Sequence, residues 1–236
     1  MKVRIATRES RLAIAQTELV LGLLRATRRD LEIEVRLFAT SGDCSQDTPI
    51  ERLADGAFTD RIERALLDGE ADAAVHSFKD LPARLPDGLI IAAVPLRTDP
   101  REALVSREGL TLATLPSSAV VGVSSERRSS AIRARRPDIE LRPIRGPVDS
   151  RVRKVDSGEY DATVLAVAGL ERLGLLHRIS QIFEISEIPP AAGQGALAVQ
   201  CREGDAEIVS ILRGIDEPGI HAAVTRERNW QLLAAS

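Results

Sequence analysis

Three short segments of this 236-residue chain gather reactive side chains at the ends of apolar runs. In Ala74-Val75-His76-Ser77-Phe78-Lys79-Asp80-Leu81-Pro82, an imidazole, an ammonium and a carboxylate fall within five residues. A carboxylate fixed at a strand end can serve as a general base or stabilise a cationic intermediate. The plainer alternative is a Lys79–Asp80 surface pair followed by a turn. In Val123-Ser124-Ser125-Glu126-Arg127-Arg128, a helix start, two hydroxyls and two guanidiniums converge. Arg145-Gly146 and Arg151 belong to the next strand-to-helix turn, so a parallel sheet would open both turns on one edge. Four guanidiniums there suit a small anion, because the planar fork of arginine matches a carboxylate or phosphate; the alternative is an exposed basic helix. The third segment, Thr7-Arg8-Glu9-Ser10, reads either as an ordinary helix cap at Ser10 or as a carboxylate site made of backbone N–H groups and Arg8.

The elements that must carry these segments alternate. Strands are expected over Lys2–Ala6, Glu32–Leu37, Ala71–His76 and Leu89–Val94, with helices after Ser10 and over Phe58–Leu67. After Pro95 and Pro100 the pattern restarts, with strands at Val120–Val123, Leu141–Ile144 and Ala162–Val167. Helices follow at Ser125–Arg135, Val148–Ser157 and Ala168–Leu173. A last strand, Ala196–Gln200, precedes a helix from Asp205. This order predicts an α/β protein with mixed, largely parallel sheets. Pro95–Pro100 and Ile188–Gly195 read as two crossings between two units, with a hinged, ligand-binding cleft expected between them. The expected domains are 1–95 plus 196–216, then 96–195, then a C-terminal helix over 217–236.

Composition narrows the chemistry. Of 32 basic residues, only Lys2, Lys79 and Lys154 are lysine. Residues 126–154 hold ten basic and four acidic side chains in a chain of net charge −3. A local basic segment in an acidic chain points to a small-anion site. A nucleic-acid surface would come with a basic domain and stacking aromatics, and only six aromatics occur. No apolar run approaches a membrane span and no signal peptide is visible. Two cysteines, Cys44 and Cys201, make no disulfide framework. A soluble, cytoplasmic protein is therefore expected; it is also expected to be monomeric. Metal-ligand spacing, a P-loop and a nucleophile elbow are all missing. Gly193-Gln194-Gly195-Ala196-Leu197-Ala198 fits a dinucleotide fingerprint, but it precedes a strand rather than opening a helix.

Taken in order, these segments resemble the hydroxymethylbilane synthase (porphobilinogen deaminase) family. The resemblance runs through Arg4–Ser10, Ala71–Pro82, Asp99–Ala103, Gly122–Arg128, Gly158–Ala162, Ala166–Gly174 and Pro190–Ala196, nearly the whole chain. It implies two domains like those of periplasmic binding proteins, and deaminating condensation of four porphobilinogen molecules into a linear tetrapyrrole. It implies that Asp80, with Lys79 beside it, faces the pyrrole nitrogens and supports a cationic azafulvene. It implies that Arg8, Ser10, Ser125, Arg127, Arg128, Arg145, Arg151, Arg172 and Gln194 bind the acetate and propionate carboxylates of substrate and cofactor.

The departures concern the cofactor. The family carries a third domain whose Gly-Gly-Cys motif holds a dipyrromethane; here it is expected to be absent, with that cysteine just past Ser236. Cys201 reads as structural, and Cys44, in the loop Ser41–Pro49, is a possible substitute thiol. Ser41 replaces a family arginine, 52–57 replaces a Gly/Lys-rich segment, and Pro147 replaces an asparagine. The alternative function is a divergent homologue that no longer polymerises and binds or modifies a pyrrole or other small polycarboxylate.

Overall fold

The computed structural model describes residues 1–45, 54 and 56–235, with the side chains of 231, 232, 234 and 235 excepted. The chain forms two compact units: 1–44 with 54–98 and 192–236, and 45–53 with 99–191.

Unit 1 is built on a five-stranded sheet of order β2-β1-β3-β10-β4. Its strands are β1 (Lys2–Arg8), β2 (Glu32–Phe38), β3 (Ala73–Ser77), β4 (Leu89–Ala93) and β10 (Leu197–Arg202). β1 runs parallel to β2 and β3, whereas β10 is antiparallel to both β3 and β4. Helix α1 (Arg11–Thr27) starts where Ser10 Oγ accepts the Ala13 N–H, and it buries Ala13, Gln16, Thr17, Val20, Leu21 and Leu24 along one face. That face packs with Val3 and Ile5 of β1, Val75 of β3, Leu197 and Val199 of β10, and Ile208 and Leu212 of α7 (Ala206–Arg213). α3 (Asp60–Leu67) buries Ile62 and Leu66 against Ala6 and Ala74.

Unit 2 repeats the plan. Its sheet has the order β7-β6-β8-β5-β9, from β5 (Glu102–Ser106), β6 (Val120–Val123), β7 (Glu140–Pro143), β8 (Ala162–Ala166) and β9 (Gln181–Ile182). β6 is parallel to β7 and β8; β5 is antiparallel to β8 and β9. Helices α4 (Glu126–Arg135), α5 (Val148–Asp156) and α6 (Val167–Arg172) follow β6, β7 and β8. Each sheet thus sets a parallel β-α-β-α-β core beside one inserted antiparallel strand.

The sequence expectation lacks β9 as well as two elements whose reasons are physical. β5 is fully buried along its length yet opens on Glu102, a charge that hides the strand from a local apolar pattern. Ser41–Cys44, read as loop, forms one helical turn, α2, in which Asp43 turns back to accept the Thr40 N–H at 3.1 Å and the Thr40 Oγ–H at 2.7 Å. Residues 46–53 and 55, which include three of the six positions of the altered segment 52–57, lie outside the described residues. Helix α8 (Pro218–Ala235) belongs to unit 1. No helix among the described residues is long and apolar enough to cross a membrane.

Candidate active site

In unit 1, β3 ends at Ser77 and the chain turns through a single 3-10 turn, Phe78–Asp80. The turn is held from four directions. Ser77 Oγ accepts from Gln16 Nε2 on α1 at 2.8 Å. The Phe78 N–H donates to the Ala196 carbonyl at 3.0 Å. Lys79 Nζ donates to the buried Gln194 side chain at 2.9 Å. Arg228 of α8 donates to the carbonyls of Pro82 and Ala83. Gln194 follows Gly193, which has φ +68°, and whose Cβ, were there one, would stand 2.2 Å from the Phe78 ring. Glu227 of α8 accepts the Gly193 N–H at 2.9 Å and a two-point pair from Arg97, at 2.6 and 3.0 Å; Arg97 also donates to the Gln194 carbonyl.

Asp80 is half-buried. Among the described residues, its only polar neighbour is Arg8 Nη1, 3.8 Å away and beyond hydrogen-bond reach. The Lys79–Asp80 surface pair is not what forms: Lys79 turns to Gln194 and Asp80 turns toward Arg8. Arg8 spends its fork on Asp43, Nε at 3.1 Å with Nη2 also donating, and its guanidinium stacks 4.7 Å above the Phe58 ring. These carboxylates hold Arg8 charged against its burial, and Arg8 in turn holds Asp43 below the usual carboxylate range. Beneath the turn, His76 is buried, and burial drives its imidazole down to about 4, so it is neutral near pH 7. Its Nε2 is an unpaired buried atom among the described residues. Further in, Gln200 donates to Glu63 at 3.0 Å, and Thr59 donates to the same carboxylate at 3.1 Å.

In unit 2, Ser125 caps α4, its Oγ accepting the Arg128 N–H at 3.5 Å. The hydroxyl that meets guanidiniums is its neighbour: Ser124 Oγ accepts from Arg151 Nη1 at 2.7 Å and from Arg128 Nη1 at 3.5 Å. Arg127 and Arg128 share Glu102, at 2.5 and 2.7 Å, and Glu102 has no solvent exposure. This rules out a freely solvated basic helix face for both residues. Burial lowers Arg127, and Glu102 opposes that shift. Arg128 is 6% exposed, and its Nε is buried without a hydrogen-bond partner among the described residues. Arg151 Nε donates to the Gly146 carbonyl, and Arg145, beyond β7, donates to the Ser45 carbonyl at 3.2 Å. Arg172, on α6, is half-buried, and burial lowers it to about 10.

Of the two thiols, Cys201 lies in the unit 1 core and is pushed up to about 11 by burial, whereas Cys44 is exposed at the end of α2, next to Asp43. Sequence reasoning missed Asp43, Glu102, Arg97 and Glu227 as members of these arrangements. Only Asp43 left a local trace, the Thr40-x-x-Asp43 spacing of a side-chain turn.

Comparison with known proteins agrees with this assembly. Residues 3–210 match the family described as porphobilinogen deaminase, dipyromethane cofactor binding domain. A porphobilinogen deaminase from Paenibacillus macerans is 46% identical over 231 residues, covering 96% of this chain and 71% of that protein. The Brevibacillus brevis porphobilinogen deaminase is 44% identical, covering 97% of this chain and 74% of that protein. Among solved structures, a nutrient binding protein from Burkholderia cenocepacia bound to methionine aligns with a TM-score of 0.56 at 12% identity, covering 96% of this chain and 97% of that one. An ancestral cationic amino acid solute binding protein aligns with a TM-score of 0.55 at 13% identity, covering 97% and 94%. At such identities these two show the fold alone: the two-unit α/β architecture of solute-binding proteins, as the sequence predicts. The curated relatives and the matched family show more, for they span most of the chain at close to half identity: this chain belongs to the porphobilinogen deaminase family.

Proposed function

We propose that the chain is a hydroxymethylbilane synthase-type transferase, condensing porphobilinogen with loss of ammonia into a linear tetrapyrrole. The observation that carries this reading is the Asp80 carboxylate, held on a braced turn and engaged in no hydrogen bond among the described residues. Ammonia leaving an aminomethyl-pyrrole generates positive charge on the ring. A fixed carboxylate with open lone pairs stabilises that charge and accepts pyrrole N–H donors. Lys79, tied to Gln194, fixes the turn and adds a cation beside it.

Binding falls to the guanidiniums. Arg127, Arg128, Arg151 and Glu102 together carry a net charge of +2, which suits acetate and propionate groups. The buried Nε of Arg128 is a donor awaiting an acceptor. Arg8, Arg145 and Arg172 are assigned the same class of contact. Ser10 and Ser125 cap helices through an oxygen lone pair and keep an O–H to donate.

These residues also fit a dipyrromethane, whose side chains bear the same carboxylates. When bound, it supplies the pyrrole end that primes the condensation. Arg127, Arg128 and Arg151 would hold it. Cys201 is unsuited to attach it, being buried and poorly ionised; Cys44 is the exposed thiol of the two. The reading carries with it a cytoplasmic, monomeric enzyme with a small-molecule substrate and no metal. The test is intact mass together with Ehrlich's reagent on the purified protein, and porphobilinogen consumption. A covalent dipyrrole with turnover is expected. An unmodified polypeptide that consumes no porphobilinogen would overturn the polymerase and leave a binder of small polycarboxylates.

A further inference from the structure

Arg8 faces two carboxylates and treats them differently. Its paired Nε and Nη2 edge, the edge that matches a carboxylate bidentately, is given to Asp43. Only Nη1 is turned to Asp80, at 3.8 Å. The bias is built in. Asp43 is oriented by both the N–H and the hydroxyl of the buried Thr40. The turn carrying it is anchored where the Gly42 N–H donates to the Ala57 carbonyl at 2.7 Å. A Cβ at Gly42 would lie 2.6 Å from the Phe58 ring, so the α2 backbone sits directly on that ring. The same ring stacks on the Arg8 guanidinium. Arg8 is thereby fixed between an aromatic face and one chosen carboxylate.

We propose that Asp43 is a positioning residue that holds Arg8 away from Asp80 and so keeps the Asp80 carboxylate open for a cationic, N–H-donating substrate. Without it, the fork of Arg8 would turn to the nearest remaining carboxylate. A two-point Arg8–Asp80 pair would occupy the lone pairs that the reaction needs. Asp43 touches no substrate in this scheme and acts through Arg8. The inference rests on the assignment of Asp80 above.

The test is a double-mutant cycle between positions 43 and 8, combined with the structure of the Asp43→Asn protein. Asp43→Asn keeps the shape and the Thr40 contact while removing the charge that binds the fork. With Arg8 present, it is expected to lower kcat for porphobilinogen by about tenfold or more; in the Arg8→Gln background the same change should cost less than about twofold. Thr40→Val, which removes one of the two bonds orienting Asp43, should show the same coupling at smaller size. In the Asp43→Asn structure the Arg8 guanidinium should hydrogen-bond Asp80. Equal losses in both backgrounds, an undiminished kcat, or an Arg8 still stacked on Phe58 at its present distance from Asp80 would each overturn the proposal. Should the parent protein consume no porphobilinogen, the proposed function fails on its own, and the position of Arg8 in the Asp43→Asn structure still decides the inference.

Discussion

In unit 1 the first strand-to-helix turn sets one guanidinium, Arg8, between two carboxylates, Asp43 and Asp80. In the matching turn of unit 2 the proportions are inverted: Arg127, Arg128 and Arg151 gather near the single buried carboxylate of Glu102 and the Ser124 hydroxyl. The scaffolds underneath are alike. Both sheets place a parallel core beside one antiparallel strand, and a serine caps the helix after the first parallel strand in each. Pairing register makes the correspondence residue by residue. Leu197 faces Ser77 as Glu102 faces Ala166, and Ala198 faces His76 as Ala103 faces Leu165. Where unit 1 has Leu197, unit 2 has the buried Glu102; where unit 2 has Leu165, unit 1 has the buried His76. One backbone plan thus carries a site with spare negative charge and a site with spare positive charge. The difference lies in the charged side chains gathered on that plan: Asp43 and Asp80 around one arginine in unit 1, and Arg127, Arg128 and Arg151 around one buried glutamate in unit 2.

With the labour divided in this way, the two sites are expected to fail differently when broken. The largest effect is expected at Asp80. Asp80→Ala should lower kcat about a thousandfold, the scale seen when a preorganised electrostatic partner of a transition state is removed. The residue is half-buried and makes no hydrogen bond among the described residues, so the melting temperature should hardly move. Steady-state porphobilinogen consumption beside a thermal melt checks this; an unchanged kcat would remove Asp80 from the chemistry and erase the contrast between the units.

The next effect separates the units by pH. His76 sits at about 4 in the folded state against 6.5 when free. Between those values the unfolded chain binds more protons, so stability is complete above about pH 6.5 and is lost as the pH falls toward 4. From pH 7 to 4.5 the loss amounts to about 2 kcal/mol for this group. His76→Leu, which copies the residue at the matching position of unit 2, should flatten that slope in urea unfolding curves. An equally steep slope in the variant would put the acid sensitivity elsewhere.

Arg127→Leu comes third. It should raise KM for porphobilinogen about tenfold, or about 1.4 kcal/mol, with little change in kcat. Arg128 remains paired to Glu102 in this variant, so folding should survive. A fall in kcat at constant KM would move the unit 2 guanidiniums from binding into the chemical step, and the two units would no longer divide the work.

Local pattern carried the strands and caps well, because these depend on near neighbours. Val120–Val123 is a short apolar run that stops at a serine, and the structure begins and ends the strand there. What local pattern could not show were pairings made across the sequence. Glu102 looks like a surface charge until Arg127 and Arg128, about 25 residues on, close over it. The two adjacent serines are alike in sequence, and only the direction of the turn decides that Ser125 caps α4 while Ser124 points at Arg151. Glu227 has no neighbour in sequence to betray it, yet it fastens the Gly193 turn. Candidate positions can be named from the sequence; which charge neutralises which cannot.

The smallest effect tests the feature the units share. Ser10 Oγ accepts its cap bond at 3.2 Å and Ser125 Oγ at 3.5 Å. Ser10→Ala should cost about 1 kcal/mol of stability, and Ser125→Ala somewhat less, because its bond is longer. Alanine removes cap and hydroxyl together, so it cannot tell a helix cap from a substrate contact. Aspartate can: it caps about as well as serine but presents no donor and adds a negative charge. Ser10→Asp and Ser125→Asp should therefore keep most of the melting temperature while raising KM severalfold, since each would set a carboxylate against the substrate's own. Were KM unchanged in both, the serines would be caps alone, and the recognition of carboxylates would rest on the guanidiniums of the two units.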